Sequence, residues 1–582
     1  MTEKIDLTSG GLLGRVTRVD TAHVIIDVND HALLTRVSVG SLVVVRGAST
    51  LEFLIGIVER VIRDTHEEAL IGEQDEEGQT PIEQVEVQRD IVRLVLVGTY
   101  RSAAGDLGGT FKRGADSFPQ IDRECHLIEG DNLQALMSTF AAGLKPEQQL
   151  QLGHFVADAK AAAIADGNRF FQRHAALLGS TGTGKSWTVA LILERAAVLN
   201  HPNLVVFDMH GEYSPLASGV NAIAQALRVA GPGDLDAPAN DALFLPYWLL
   251  NAEEMLALIL DRSDQNAPNQ AARFLKHVRD LKRETLDAAG QTEVAATFTV
   301  DSPVPYEMVE LLARLQADDE GMAEGVNKPI KGPFNGTLTR FIARLHSRTD
   351  DRRYGFLFKP PPAASDYGWL ASQAQRLMRS DNDVAGIKII DFSEVPSDVL
   401  PVVAGVLART IYDVQFWLDE DDRTPICFVC DEAHLYLPAA ESSGAVEGRA
   451  LAAFERIAKE GRKYGISLLV VSQRPSDVNR TILSQCNNFI AMRLTNDQDQ
   501  AVVRRFTSES LAGLVDVLPL LDVGEALLLG DAMLLPTRMK LDRPAICPAS
   551  ATRDFWTDWG TREPNKEAIA GAVEAFRRQV RG

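Results

Sequence analysis

Apolar residues along this chain follow two rhythms. Up to about residue 110 they come in short alternating stretches, GRVTRVDTAHVIIDV, SLVVVRG, FLIGIVERVI and DIVRLVLVGTY, broken by Gly, Asn and Asp. Alternation interrupted by turn residues at regular spacing predicts short half-buried strands, and so a small β-barrel. From residue 174 onward the strand candidates are apolar nearly throughout: HAALL (174–178), NLVVFD (203–208), GIKIIDF (386–392), ICFVCD (426–431), SLLVVSQ (467–473) and NFIAMRL (488–494). Continuous apolar strands with helical stretches between them predict a mostly parallel sheet covered on both faces. GEALLLGDAMLLPTRMKL, which follows, reads as a β-hairpin.

These rhythms divide the chain. Residues 1–110 are expected to form the barrel, and 111–166 a linker and connecting helix, since PEQQLQLGHFVADAKAAAIAD (146–166) has helical composition. Residues 167–231 and 386–548 supply two parts of an α/β core, and 232–385 a mostly helical inserted subdomain. The tail, 549–582, contains EPNKEAIAGAVEAFRRQV, an amphipathic helix with Pro564 near its start and Ile569, Val573 and Phe576 on one face. An acidic stretch, HEEALIGEQDEEGQ (66–79), reads as a solvated loop. No internal repeat is visible.

Composition narrows the class. At 582 residues the chain needs more than one core, and 45% hydrophobic with 24% charged residues excludes a disordered or fibrous protein. No apolar run approaches a membrane span, and MTEKIDLTSG lacks a signal-peptide layout, so a cytoplasmic location is expected. The net charge of −21 argues against a broadly basic nucleic-acid coat, and leaves room for basic groups confined to one surface such as a pore. Five scattered cysteines make no disulfide framework. Cys427 and Cys430 form a CxxC, but on a strand residues three apart face opposite ways, and no second ligand pair is nearby.

The chemistry concentrates in a few segments. GSTGTGKS, residues 179–186, matches G-x-x-x-x-G-K-[ST] between an apolar strand and the helix SWTVALILERA. Gly179, Gly182 and Gly184 let the backbone bend so that N–H groups of Ser180, Thr181 and Thr183 can turn toward phosphate oxygens. Lys185 reaches the β- and γ-phosphates of ATP, Ser186 ligates Mg²⁺, and Trp187 opens the helix whose positive end adds to the cradle. In ICFVCDEAH, an apolar strand ends in two acids, placing Asp431 to hold the metal through its water shell and Glu432 to act as general base. Gln473, ending the strand in LLVVSQRPSDV, reads either as a reporter touching γ-phosphate and water or as a turn residue. Arg462 and Lys463, in IAKEGRKYGISL, read either as a source of a γ-phosphate-bridging arginine or as an exposed basic pair at a helix end. FDMHGEYS puts Asp208, His210 and Glu212 at another strand end, read as a polar surround to the nucleotide rather than a metal site. Arg340, Arg344 and Arg348, spaced by four, share one helical face suited either to nucleic-acid phosphates or to solvent and subunit contacts.

Taken in order, GSTGTGKS, FDMHGEYS, FVCDEAHLYLP, EGRKYGISLLVVSQRPSDV and GEALLLGDAMLLP resemble the HerA family of hexameric ATPases, relatives of the FtsK translocases. The resemblance runs from about residue 10 to about 550. It implies a RecA-like core behind an N-terminal barrel, a homo-hexameric ring and double-stranded DNA through its channel. It implies that Lys185, Ser186, Asp431, Glu432 and Gln473 take the roles above, and that Arg462 acts across the subunit boundary. It also implies a partner, a nuclease such as NurA or, in bacterial antiviral operons, another effector enzyme. A second class stays open: a ring scaffold that gates a partner enzyme, with ATP as its switch. A coupling ATPase for DNA secretion is a third, for which no membrane segment speaks.

Overall fold

The computed structural model describes residues 7–579 except 9, 29–30, 48, 50, 72–81, 103–108, 324–329, 380–385, 440–444 and 551–552. The chain forms two compact units. The first comprises Met1–Arg195, Gln473–Ser476 and Cys486–Pro544; the second comprises Ala196–Ser472, Asp477–Gln485 and Ala545–Gly582.

In the first unit the alternating stretches form a closed barrel. Its strands run in the order Val24–Val28, Leu12–Val19, Glu124–Ile128, Leu42–Arg46, Glu52–Ile71 and Ile82–Arg101, the last pairing back on the first. Inward residues such as Leu13, Ile26, Val43, Val92 and Leu127 make one core. Glu52–Ile71 and Ile82–Arg101 form a long antiparallel hairpin. Residues 66–71 of the acidic stretch therefore continue a strand instead of forming a loop, while 72–79 lie outside the described residues.

The helix expected within 146–166 is absent. Strands Gln149–Phe155 and Asp158–Asp166 pair antiparallel there, and the helix of this region lies earlier, at Gly130–Ala142. Alanine-rich composition favours a helix, but Leu150 and Leu152, and then Ala161, Ala163 and Ala165, are buried at a period of two, the strand's period. The same unit holds the P-loop strand Ala175–Leu178, parallel to Asn488–Ala491, and the hairpin Glu525–Gly530 with Thr537–Leu541.

The second unit carries six parallel strands in the order Ala242–Leu243, Gln225–Val229, Ile387–Asp391, Leu204–Asp208, Ile426–Cys430 and Ile466–Ser472. Leu204–Asp208, Ile426–Cys430 and Ile466–Ser472 are buried at every position, which explains their mostly apolar sequence. The interval 232–385 supplies helices Ala252–Ile259, Ala267–Ala288, Met308–Glu320, Thr339–Asp350 and Trp369–Met378. The tail forms helix Lys566–Arg578, capped by the Asn565 side chain, with Ile569, Val573 and Phe576 exposed. The fold is thus α/β, with an N-terminal β-barrel.

Candidate active site

The first unit shapes an anion cradle. After strand Ala175–Leu178 the chain turns through Gly182 and Gly184, at φ 75° and 106°, into helix Lys185–Ala197. Those left-handed conformations are cheap only without a Cβ. The loop is braced from outside: Ser180 N–H donates to Arg493 O at 2.9 Å and Gly524 N–H to Thr183 O at 3.0 Å. The Thr183 hydroxyl donates to Ser180 O at 2.8 Å and that of Thr188 to Gly184 O at 2.9 Å. Lys185, largely buried, folds back so that its Nζ donates to Ser180 O at 3.2 Å. Ser186 and Trp187 follow, half-buried, on the first helical turn. The Thr181 hydroxyl donates to Gln473 Oε1 at 2.5 Å. The structure therefore joins Gln473 to the P-loop directly.

The second unit gathers carboxylates at the ends of its strands. Asp431, directly after strand Ile426–Cys430, is buried. Burial, with the Glu432, Asp208 and Glu212 charges, holds its carboxyl well above the usual carboxylate range. Asp208 ends the neighbouring strand. Burial and the Asp391 charge push its carboxyl up to about 6, although it accepts backbone N–H groups of His210, Glu212 and Tyr213. Behind it, Phe207 packs against Phe392, Phe428, Tyr436 and Phe454, so the carboxylates stand on an apolar floor.

Glu432 is the strained member, a non-glycine residue at φ 44°, ψ 44°. Such a conformation costs about 1–3 kcal/mol and collects at functional sites. Its Oε2 is buried without a hydrogen-bond partner and lies 3.3 Å from His434 Nδ1, which is 3.4 Å from the Ser472 hydroxyl. A buried carboxylate oxygen beside an imidazole is suited to orienting a water and taking its proton.

A buried carboxylate crowded by like charge fits a cation, so the residues present suit Mg²⁺. Among the described residues no group of three or more His, Cys, Asp or Glu side chains is arranged to hold a metal by itself. Mg²⁺ takes one or two protein ligands and fills its shell from phosphates and water. Cys427 and Cys430 are buried free thiols, in line with their position on a core strand.

Arg462 is exposed on the turn Gly461–Tyr464, with no ion-pair partner among the described residues. The arginine face is mostly spent. On helix Thr339–Asp350, Arg344 donates to Asp261 at 2.6 Å, and Arg348 donates to the Tyr354 hydroxyl and to Asp398. Arg340 stays exposed. One polar group was missed in the sequence: Tyr213, fully buried, whose hydroxyl donates to Asp431 Oδ2 at 3.2 Å. Its signal lay in FDMHGEYS, where the acids drew notice and the tyrosine did not.

The family profile described as "Helicase HerA, central domain" matches residues 150–411. Through that region the chain is similar to HerA helicases, and it is an ATP-hydrolysing P-loop enzyme. Probable helicase MJ1565 of Methanocaldococcus jannaschii is 26% identical over 447 residues, covering 75% of this chain and 75% of its own. The DNA double-strand break repair helicase HerA of Pyrococcus furiosus is 27% identical over 416 residues, 65% of this chain and 66% of its own. Among solved structures, VirB4 of Thermoanaerobacter pseudethanolicus superposes with a TM-score of 0.44 at 16% identity, over 69% of this chain and 98% of its own, too loosely to bear on function. Among the described residues, no helix is long and apolar enough to cross a membrane.

Proposed function

We propose that this P-loop ATPase is a HerA-type, ATP-driven double-stranded DNA translocase or helicase, working as a homo-hexameric ring with a partner nuclease or other effector enzyme. The observation that carries the proposal is a phosphate-shaped P-loop, with Gln473 seated on it, in a chain whose relatives are named DNA double-strand break repair helicases.

The chain's own groups divide the chemistry. Loop N–H groups receive the phosphates of ATP, and Lys185 exchanges Ser180 O for the β- and γ-phosphate oxygens. Ser186 and Asp431 serve Mg²⁺, which neutralises charge on those oxygens when bound. Glu432, with its buried oxygen beside His434, orients the attacking water and takes its proton. Gln473 reports the γ-phosphate through Thr181, and Arg462 reaches a neighbouring subunit's nucleotide.

A second reading keeps the ring and drops the movement, making ATP a switch for an effector. It draws on the net charge of −21 and on the pairing of Arg344 and Arg348 with acids, which leaves Arg340 as the open member of that stripe for DNA. Steady-state ATPase assays with duplex DNA separate the two. A translocase is stimulated by DNA, with binding that weakens as salt rises because phosphate contacts release counterions. A switch scaffold turns over at one rate with or without DNA at every salt concentration.

A further inference from the structure

The loop after strand Leu204–Asp208 has no role in the chemistry above, yet it is tied to the metal-serving carboxylate by a specific chain of hydrogen bonds. Asp208 Oδ1 accepts the His210 N–H at 3.3 Å and the Glu212 N–H at 3.0 Å, while Oδ2 accepts the Tyr213 N–H at 2.9 Å. One side chain at a strand end thus folds residues 210–213 into a tight turn. The turn delivers Tyr213 to a fully buried position, where its hydroxyl donates to Asp431 Oδ2 at 3.2 Å. That is the hydroxyl's one hydrogen-bond acceptor among the described residues.

The geometry points to Tyr213 as a positioning residue for the metal, holding Asp431 by one oxygen so that the other stays aimed at the cation's water shell, with Asp208 as the clamp that fixes Tyr213. The inference rests on the proposed reading of Asp431 as the metal-serving carboxylate. The physical reason is that a carboxylate rotates about its last bond, and each rotamer presents a different oxygen. A buried donor on one oxygen removes that freedom before the metal arrives, and outer partners of this kind are worth about 10–100-fold in metal affinity or activity. A donor of fixed position also offsets part of the charge that Glu432, Asp208 and Glu212 crowd around Asp431. Tyrosine suits the task because its ring fills the buried space while the hydroxyl alone does the orienting.

Tyr213→Phe removes that hydroxyl and leaves the ring. The readout is binding of a non-hydrolysable ATP analogue, followed by calorimetry in EDTA and then across a Mg²⁺ series, with Asp431→Asn measured beside it. Affinity in EDTA should stay within about twofold of wild type for Tyr213→Phe. The Mg²⁺ concentration giving half of the metal-dependent tightening should rise about 10-fold. Asp431→Asn should raise it at least as far. If Asp431→Asn shifts the Mg²⁺ dependence and Tyr213→Phe does not, Tyr213 only fills space and the inference fails alone. If Asp431→Asn leaves the Mg²⁺ dependence unmoved, the reading of Asp431 fails, and the inference with it. Equal loss of affinity by Tyr213→Phe in EDTA and in Mg²⁺ also overturns the inference, since it signals general damage. Should melting show that Tyr213→Phe does not fold, Asp208→Asn takes its place. Loosening the clamp must then shift the Mg²⁺ dependence in the same direction, and an unmoved dependence overturns the proposal.

Discussion

Replacing Gly182 with alanine isolates what the P-loop demands of its backbone. Gly182 holds φ at 75°, and a Cβ built there meets no heavy atom within 4 Å. Space is therefore available, and the left-handed conformation is the whole cost, about 1–2 kcal/mol for a residue with a Cβ. In the variant the empty loop, with nothing packed against residue 182, is expected to relax to negative φ, whereas converging its amides on phosphate requires the left-handed turn. The cost should fall on binding, weakening ATP affinity about 5–30-fold while leaving the melting temperature of the nucleotide-free protein unchanged. Gly179 provides the opposite case. Its φ is not positive, but a Cβ there would lie 2.8 Å from Met492 Cβ and 2.9 Å from Thr183 Oγ1. Overpacking of this sort costs about 1–3 kcal/mol and is paid in the folded state, so Gly179→Ala should melt earlier without any ligand. Equilibrium titration with a fluorescent ATP analogue, paired with thermal melts, reads both quantities. Wild-type affinity in Gly182→Ala, or a lowered melting temperature with affinity intact, would refute the conformational argument.

Three further outcomes follow from the same geometry. Lys185→Ala should lose most nucleotide binding, while Glu432→Gln binds ATP and barely hydrolyses it; near-normal steady-state turnover by Glu432→Gln removes it as the catalytic carboxylate. In the barrel, burial raises the Glu59 carboxyl, but hydrogen bonds from Arg93, one of them 2.8 Å long, and its charge outweigh burial and hold the carboxyl below its ordinary 4.5. That pair's stability is present above pH 4.5 and lost as pH falls through the lower folded value. Arg93→Met should cost about 3–5 kcal/mol near neutrality by stranding a buried charge, and should invert the local slope so that melting temperature rises as pH falls toward Glu59 protonation. Finally, Lys185→Ala and Arg462→Ala proteins, each nearly inactive, should regain partial ATPase activity on mixing if Arg462 acts across subunits; no recovery in mixed rings verified by mass counts against that role.

The core strands were legible in the sequence because parallel strands buried on both faces are apolar at most positions, as in ICFVC. The P-loop turn was legible because a phosphate-binding loop requires fixed residue types at fixed spacing, and Asp431 and Glu432 stood out as acids ending an apolar strand. Composition misled at 146–166, where alanines suggested a helix while the buried positions repeat every second residue. It misled again at 66–71, where acids on an extended strand looked like a loop. The arginine face could not be judged from its own spacing, since the partners of Arg344 and Arg348 lie 83 and 50 residues away. Tyr213 was hidden for the same reason, its acceptor lying 218 residues further along the chain.

The central claim is movement along DNA, and displacement of a triplex-forming oligonucleotide from duplex DNA measures it most directly. With ATP and Mg²⁺, the purified protein should displace the third strand at a rate that depends on ATP concentration, and Glu432→Gln should leave it in place. Brisk ATP hydrolysis by the wild-type protein with no displacement at any salt concentration would contradict the account and leave the ATP-switched scaffold in its place.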